Sequence, residues 1–345
     1  MSRKRRKQRQ GLRLGWLFWV AGGLAVIYLV INILPAQLGQ LELVVDESPT
    51  PSFTPTPYPT PIAPEISGDD PDLGALEAYM LELINVDRAA HGLQPVFWDS
   101  LAVEVGRLHA EEMAAAGYMS HWNLAGLGPD IRYSQSGGRD ALMENVFSSF
   151  QRYDDGSPVW EADWAARVRE AQEALMNSPG HRANILTPAH THVGVGIAYD
   201  AATGEFRVAQ EFINRYLSAD TGFESQMMEA HPGESFAFEI ALLPGAAQPL
   251  INLVYEPLPN AMTISALNET STYESPAVFV DEIKYSVDWG GDLAVPVTIP
   301  RNPQSGYYHV RIWVIVDGES VPASDIVVKL VEKYRTAVSP LSNCP

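Results

Sequence analysis

Residues 164–212 read WAARVREAQEALMNSPGHRANILTPAHTHVGVGIAYDAATGEFRVAQEF. Trp164, Val168, Ala171 and Leu175 recur at helical spacing, and Asn177-Ser178-Pro179-Gly180 breaks the helix. Val193, Val195, Ile197 and Tyr199 then alternate with small or polar residues. Phe206, Val208, Gln210 and Phe212 do the same, and Asp200 to Gly204 joins the two runs as a hairpin loop. Further helical patterns lie upstream. Leu76, Tyr79, Met80, Leu83 and Ile84 mark one helix stopped by Gly92. Leu101, Val105 and Leu108 mark the apolar face of a second, capped by Asp99 or Ser100 and ended by Gly117. Helices followed by an antiparallel hairpin give an α+β layered domain over 72–218, with the helices and strands of its core inside that span.

Downstream, residues 219–335 change texture. Phe236, Phe238, Ile240 and Leu242 alternate with polar or small residues, as do Tyr308, Val310, Ile312, Val314 and Val316. Shorter apolar runs stand at 251–255, 278–280 and 326–330. Turns such as Pro244-Gly245 and 302–306 separate the runs, which predicts an all-β sandwich. Residues 336–345 are a tail. Asn268-Glu269-Thr270 matches a glycosylation acceptor, relevant only in a host that glycosylates.

The amino-terminal end carries a different signal. Residues 1–13 hold seven basic residues and no acidic one, and 14–34 is a run of 21 without charge. Such a run spans a bilayer core of about 30 Å as a helix. The positive-inside rule then places 1–13 in the cytoplasm and the folded part outside, on a single-pass anchor in the cell membrane. A cleaved signal peptide is the rival, but its apolar core is shorter, and Pro35-Ala36-Gln37-Leu38 makes a poor cleavage site. Within the segment 35–71, seven of the sixteen residues 49–64 are proline, the composition of an extended stalk. The whole chain has a formal net charge of −19. Acidity of this kind argues against a nucleic-acid binder. A single cysteine, Cys344, excludes an intramolecular disulfide framework. Neither composition nor pattern fixes an oligomeric state.

From Leu76 to Tyr216 the residues resemble the CAP superfamily (cysteine-rich secretory proteins, antigen 5 and pathogenesis-related 1), in its cysteine-poor bacterial branch. The resembling pieces are Ile84-Asn85 with Arg88, Leu108-His109-Ala110 with Met113, and Tyr118-Met119-Ser120-His121. Glu144-Asn145-Val146, the stretch from Asn177 to Leu186, Gly194-Val195-Gly196 and Ala209-Gln210-Glu211-Phe212 complete the order. The resemblance implies an α-β-α sandwich with a cleft lined by two histidines and two acids. His121, Glu144 and His181 match three of those positions. Ser178 stands where the second acid belongs, and Leu175 replaces the tryptophan before it.

Two imidazoles and a carboxylate suit zinc, with water as fourth ligand. The same trio without metal serves as a general base, or as a polar floor for a ligand. His121, Glu144, His181, Ser178 and Asn184 are therefore the candidate cleft residues, with His121, His181 and Glu144 as the candidate metal set. Asn184 is expected to pin a loop through backbone hydrogen bonds. His109 reads as a packed helix residue, and His190 and His192 as part of a loop entering a strand. Phe147, Phe150, Tyr153 and Trp160 read as core or ordered loop, with a cleft mouth as the alternative. Two function classes remain. One is a surface-displayed protein binding a lipid, a glycan or an envelope protein. The other is an extracellular hydrolase, including a zinc peptidase. Binding is favoured, because neither Ser120 nor Ser178 has a nucleophile-elbow context.

Overall fold

A computed structural model describes residues 58–64, 71–150, 163–220, 227–275, 278–288 and 290–331. The basic segment, the uncharged run 14–34, most of the proline-rich segment, Tyr153, Trp160 and the tail lie outside the described residues. Among the described residues no helix is long and apolar enough to cross a membrane.

Helix α1 (Leu73–Ala90) is capped by Asp72, whose side chain accepts from Ala75 N at 3.0 Å. Strand β1 (Phe97–Trp98) leads to α2 (Ser100–Ala116). Asp99 caps α2 by accepting from Ala102 N at 2.7 Å, and Gly117 ends it at φ +74°. Then follow α3 (Pro129–Gln135), β2 (Ala141–Phe150), α4 (Trp164–Asn177), α5 (Pro179–Ile185), β3 (His192–Asp200) and β4 (Glu205–Asn214). The spacing of apolar residues predicts neither α3 nor α5. Each opens on a proline, whose missing N–H would have no partner in the first helical turn anyway.

The sheet runs β1-β3-β4-β2, with only β1 parallel to its neighbour. On one face, Val193, Val195, Ile197, Phe206, Val208 and Phe212 pack against α1 and α4. On the other lies α2, at very short range. A Cβ on Gly196 would sit 2.0 Å from the carbonyl carbon of Gly106, and one on Gly194 2.2 Å from that of Ala102. Close approach of this kind selects small residues on α2. Ala102, Gly106, Ala110 and Ala114 form its buried stripe, at a spacing of four. Leu108, expected on the buried face, is 57% exposed for that reason.

The second domain begins with β5 (Leu217–Asp220), so the boundary expected between 218 and 219 falls inside its first strand. It continues through β6 (Met228–Ala230), β7 (Ser235–Leu242), β8 (Ala247–Pro257), α6 (Ile264–Asn268), β9 (Val278–Glu282) and β10 (Ser286–Val287). It closes with β11 (Leu293–Thr298), β12 (Gly306–Val316) and β13 (Glu319–Leu330). Two sheets, β10-β11-β7-β5 and β6-β13-β12-β8-β9, enclose Phe238, Ile240, Ile251, Val295, Val310, Ile312 and Val328.

The sandwich is joined to the first domain through α3, α6 and β13. Ile131 of α3 packs with Tyr307 and Val327 of the sandwich. Leu267 of α6 packs with Met113, Tyr118 and Val146. Asp325 N donates to Arg139 O at 3.0 Å, and Asp140 bridges to Ser324. Asn268 Oδ1 accepts from Met119 N at 3.0 Å, and Thr270 Oγ1 lies 2.8 Å from Ser120 Oγ. Asn268 and Thr270 of the Asn268-Glu269-Thr270 sequon thus take part in the junction.

Gly196→Ala places a methyl against helix backbone, not against a movable side chain. Urea unfolding should show a loss of about 3 kcal/mol, the upper end of ordinary overpacking. Gly180→Ala, with nothing within 4 Å, should leave the midpoint unchanged or slightly raised.

Candidate functional site

A cleft of about 670 Å³ opens where β2, α5 and the sandwich meet. His121, Glu144, His181, Ser178 and Asn184 all border it. The structure therefore brings the five sequence candidates to one place, but gives them different tasks.

Glu144 is paired across the sheet with Glu211. Its side chain is 0% exposed, so it meets the cleft only through its backbone. His121 Nδ1 lies 2.8 Å from its Oε1, and Arg132 of α3 donates to its Oε2. Burial alone would raise this carboxyl. Arg132, His109 and His121 together outweigh that effect, Arg132 most of all, and hold Glu144 well below the usual carboxylate range. Glu211 goes the other way. Burial raises its carboxyl well above the ordinary value and the neighbouring Glu144 charge raises it further, against an Arg132 nitrogen 3.9 Å away. The surroundings thus favour the ionised form of Glu144 and the protonated form of Glu211.

The histidines divide similarly. His109 is buried as expected, and its Nε2 donates to Ser120 O at 2.8 Å. Burial, then Arg132, lowers it to about 3, so it stays neutral. His121 has one nitrogen on Glu144, which leaves Nε2 for the cleft. His181 stands on α5, and burial followed by His121 lowers its imidazole. His190 is also buried, between Asn214 Oδ1 at 2.7 Å and Asn184 Oδ1 at 2.8 Å. Its place in a packed loop agrees with the sequence reading.

Asn184 does not bond backbone as expected. Its Nδ2 donates to Asn145 Oδ1 at 3.0 Å, and Asn145 Nδ2 reaches His181 O and Gln210 Oε1. Gln210 continues to Gln172 at 2.8 Å, and Gln172 to Asp87 at 2.7 Å. This amide chain ties the α5 wall to the sheet and to α1. Arg88 supplies the backbone bonds instead, donating to Gln94 O, Ile185 O, Thr187 O and His190 O. Ser178 ends α4 and begins α5 and makes no side-chain cap bond. Phe147 packs on the core, while Phe150 is 63% exposed.

The far wall belongs to the sandwich, which the sequence did not associate with the site. Tyr273 OH and Ser275 Oγ donate to Asp130 of α3 at 2.5 and 2.8 Å. Arg311 Nε donates to Asp325 Oδ2 at 3.0 Å. His309, beneath them, bonds Asp325 through Nδ1 at 2.9 Å and Glu256 through Nε2 at 3.0 Å. Burial would lower this imidazole, but Asp325, Glu256 and Asp130 outweigh it and push it up to about 10. Among the described residues, Asp130, Glu256 and His309 are the one group of three whose ligand atoms lie within 4.8 Å of one another. Both His309 nitrogens are already engaged by carboxylates, Nδ1 by Asp325 and Nε2 by Glu256, so the group is an ion cluster and offers no free imidazole nitrogen to a cation.

The candidate zinc set fits poorly for a related reason. Both Glu144 oxygens are occupied, and the Arg132 guanidinium stands beside them. Ser178 offers no carboxylate, so two imidazoles remain where zinc sites use three or four ligands.

An α-β-α layer with paired cleft histidines defines the class of the first domain. Residues 81–212 match the family model described as CAP, the Cysteine-rich secretory protein family. This part of the chain is a CAP domain. Two relatives come from Bacillus subtilis (strain 168). The uncharacterized membrane protein YlbC is 31% identical over 140 residues, 41% of this chain and 35% of that protein. The uncharacterized protein YkwD is 30% identical over 125 residues, 36% of this chain and 43% of that protein. The chain therefore spans less than half the length of either relative. An extracellular protein containing a SCP domain from Bacillus anthracis str. Ames has a solved structure. It is 27% identical, covering 43% of this chain and 45% of that one, with a TM-score of 0.32.

The two acids should respond oppositely to neutralisation. Glu144 has a depressed folded value, so its contribution is present above the unfolded value near 4.5 and is lost as pH falls. Glu144→Gln should lower the unfolding free energy at pH 7. Arg132→Met, which leaves the charge unpaired, should cost about 3–5 kcal/mol. Glu211 has a raised folded value, so its proton is lost on unfolding at neutral pH and opposes folding. Glu211→Gln should hold or raise stability at pH 7. Denaturant titration from pH 4 to 8 separates the two. His309 adds a second window. Its stabilising effect is full below about 6.5 and disappears as pH rises through about 10, so alkaline unfolding should begin earlier in wild type than its neutral stability suggests.

Proposed function

We propose that this chain is a membrane-anchored, extracytoplasmic protein whose CAP cleft binds an organic ligand. One observation carries the reading: each carboxylate at the cleft is already engaged. Glu144 is bound to His121 and Arg132, Asp130 to Tyr273 and Ser275, and Asp325 to His309 and Arg311. A hydrolase needs a base or nucleophile at the reacting atoms. Here Ser120 Oγ is spent on Thr270 Oγ1 and on Trp122 N. What remains for a ligand is a half-open pocket of about 670 Å³, within the usual range of small-molecule sites. The neutral His181 and the free Nε2 of His121 act as hydrogen-bonding groups on its floor. The anchor rests on the basic segment before the 21-residue uncharged run. The name of YlbC as a membrane protein is consistent with it.

Extraction of the purified protein followed by mass spectrometry tests the reading. Wild type should carry a small molecule that Ala183→Trp excludes, because Ala183 lies exposed on α5 at the cleft and can be enlarged without loss of fold. His121→Ala and His181→Ala should each weaken rebinding by about tenfold, equal to about 1.4 kcal/mol. Peptide or ester hydrolysis that is abolished by His181→Ala would replace binding with catalysis.

A further inference from the structure

The sandwich presents one face of β12 to the CAP domain. Tyr308, Val310, Ile312 and Val314 point into the sandwich core. The residues between them point the other way. Tyr307 packs on Ile131, His309 is buried in the ion cluster, and Arg311 and Trp313 reach the cleft. The ladder to β13 slips by one residue between Ile312 and Trp313, where Ser324 and then Pro322 are the partners. Bulges of this type re-aim a side chain, and a proline inside a sheet is at home there. Asn214 Nδ2 fastens the bulge by donating to Pro322 O at 2.9 Å. Trp313 is thereby held, half-buried, in the lining of the cleft that α5 also borders.

We infer that the sandwich forms half of the binding site, and that Trp313 is the platform for a sugar ring of a neutral saccharide chain lying between it and His181. The inference rests on the reading of the cleft as a binding site. Three features select the ligand. The charges in the lining are compensated inside the protein, so a strongly charged ligand gains no unpaired partner. Hydroxyls interrupt the apolar lining; those of Thr187 and Ser324 donate to Ala183 O and Arg139 O, and those of Ser271 and Thr272 face the cleft. An acyl chain would bury the Ser271 and Thr272 hydroxyls without hydrogen bonds, which is unfavourable. A flat indole beside hydroxyls, imidazoles and the Asn184 amide matches a molecule with apolar ring faces and hydroxyl edges. A saccharide is such a molecule.

The test titrates the full chain in detergent with four probes by calorimetry. These are the tetrasaccharides chitotetraose and cellotetraose, tetra-alanine as the peptide arm, and lysophosphatidylcholine below its micelle concentration as the lipid arm. At least one tetrasaccharide should bind. Trp313→Ala should weaken it by tenfold or more, and Trp313→Phe, which keeps a ring and the packing, by only a few-fold. Ala183→Trp should block it. Thermal unfolding of each variant reports that the fold is kept. Binding that Trp313→Ala leaves unchanged, or that Ala183→Trp does not block, overturns the proposal. So does a failure of both tetrasaccharides. Peptide or lipid binding blocked by Ala183→Trp would overturn the saccharide while leaving the cleft a binding site. Silence of all four probes together with a preparation free of any extracted molecule would remove both readings.

Discussion

Glu144 holds a negative charge with no exposed side-chain surface, and much of the site follows from compensating it. The compensation comes chiefly from Arg132, on a helix of only seven residues. A helix that short is not stable by itself and must be held by tertiary contacts. Ile131 supplies one against the sandwich, and Asp130 supplies others to Tyr273 and Ser275. The charge under His121 is therefore linked, through consecutive residues of α3, to the attachment of the second domain. Site electrostatics and domain junction are parts of one construction.

The same linkage shapes the cleft. His121 is oriented by Glu144, and Arg132 also donates to His121 O at 2.6 Å. Opposite, the amide chain from Asn184 through Gln210 to Asp87 holds the α5 wall against the sheet. The third wall is the outer face of β12, fixed by the charged His309 cluster and by the bond from Asn214 to Pro322. Rigid walls of this kind lower the ordering cost of binding. They also explain why carboxylates at the cleft orient other groups instead of meeting a ligand.

Much of the CAP layer was legible because period and punctuation agree there. Trp164 to Leu175, the Val193–Phe212 hairpin, Asp99 and Gly117 all stand where their spacing put them. The sandwich strands were legible for the same reason. What was hidden is informative. Leu108 misled because close packing on Gly194 and Gly196 chose small residues over large ones. Helices α3 and α5 are too short to show periodicity, and only Pro129 and Pro179 hinted at them. Glu211 and Arg207 gave a signal that periodicity does not use: charged residues alternating with Phe206, Val208 and Phe212 on a strand buried on both faces. The contribution of Tyr273, Arg311 and Trp313 was not visible, because nothing in a strand pattern says which outer face meets another domain. His121, Glu144 and His181 came from the family resemblance, since they lie on separate segments that spacing cannot join.

Scanning calorimetry of the full chain tests the linkage most directly. If the α3 contacts make one body of the two domains, heating should give a single transition, with calorimetric and van't Hoff enthalpies in agreement. Two resolved transitions, one for each domain, would contradict it.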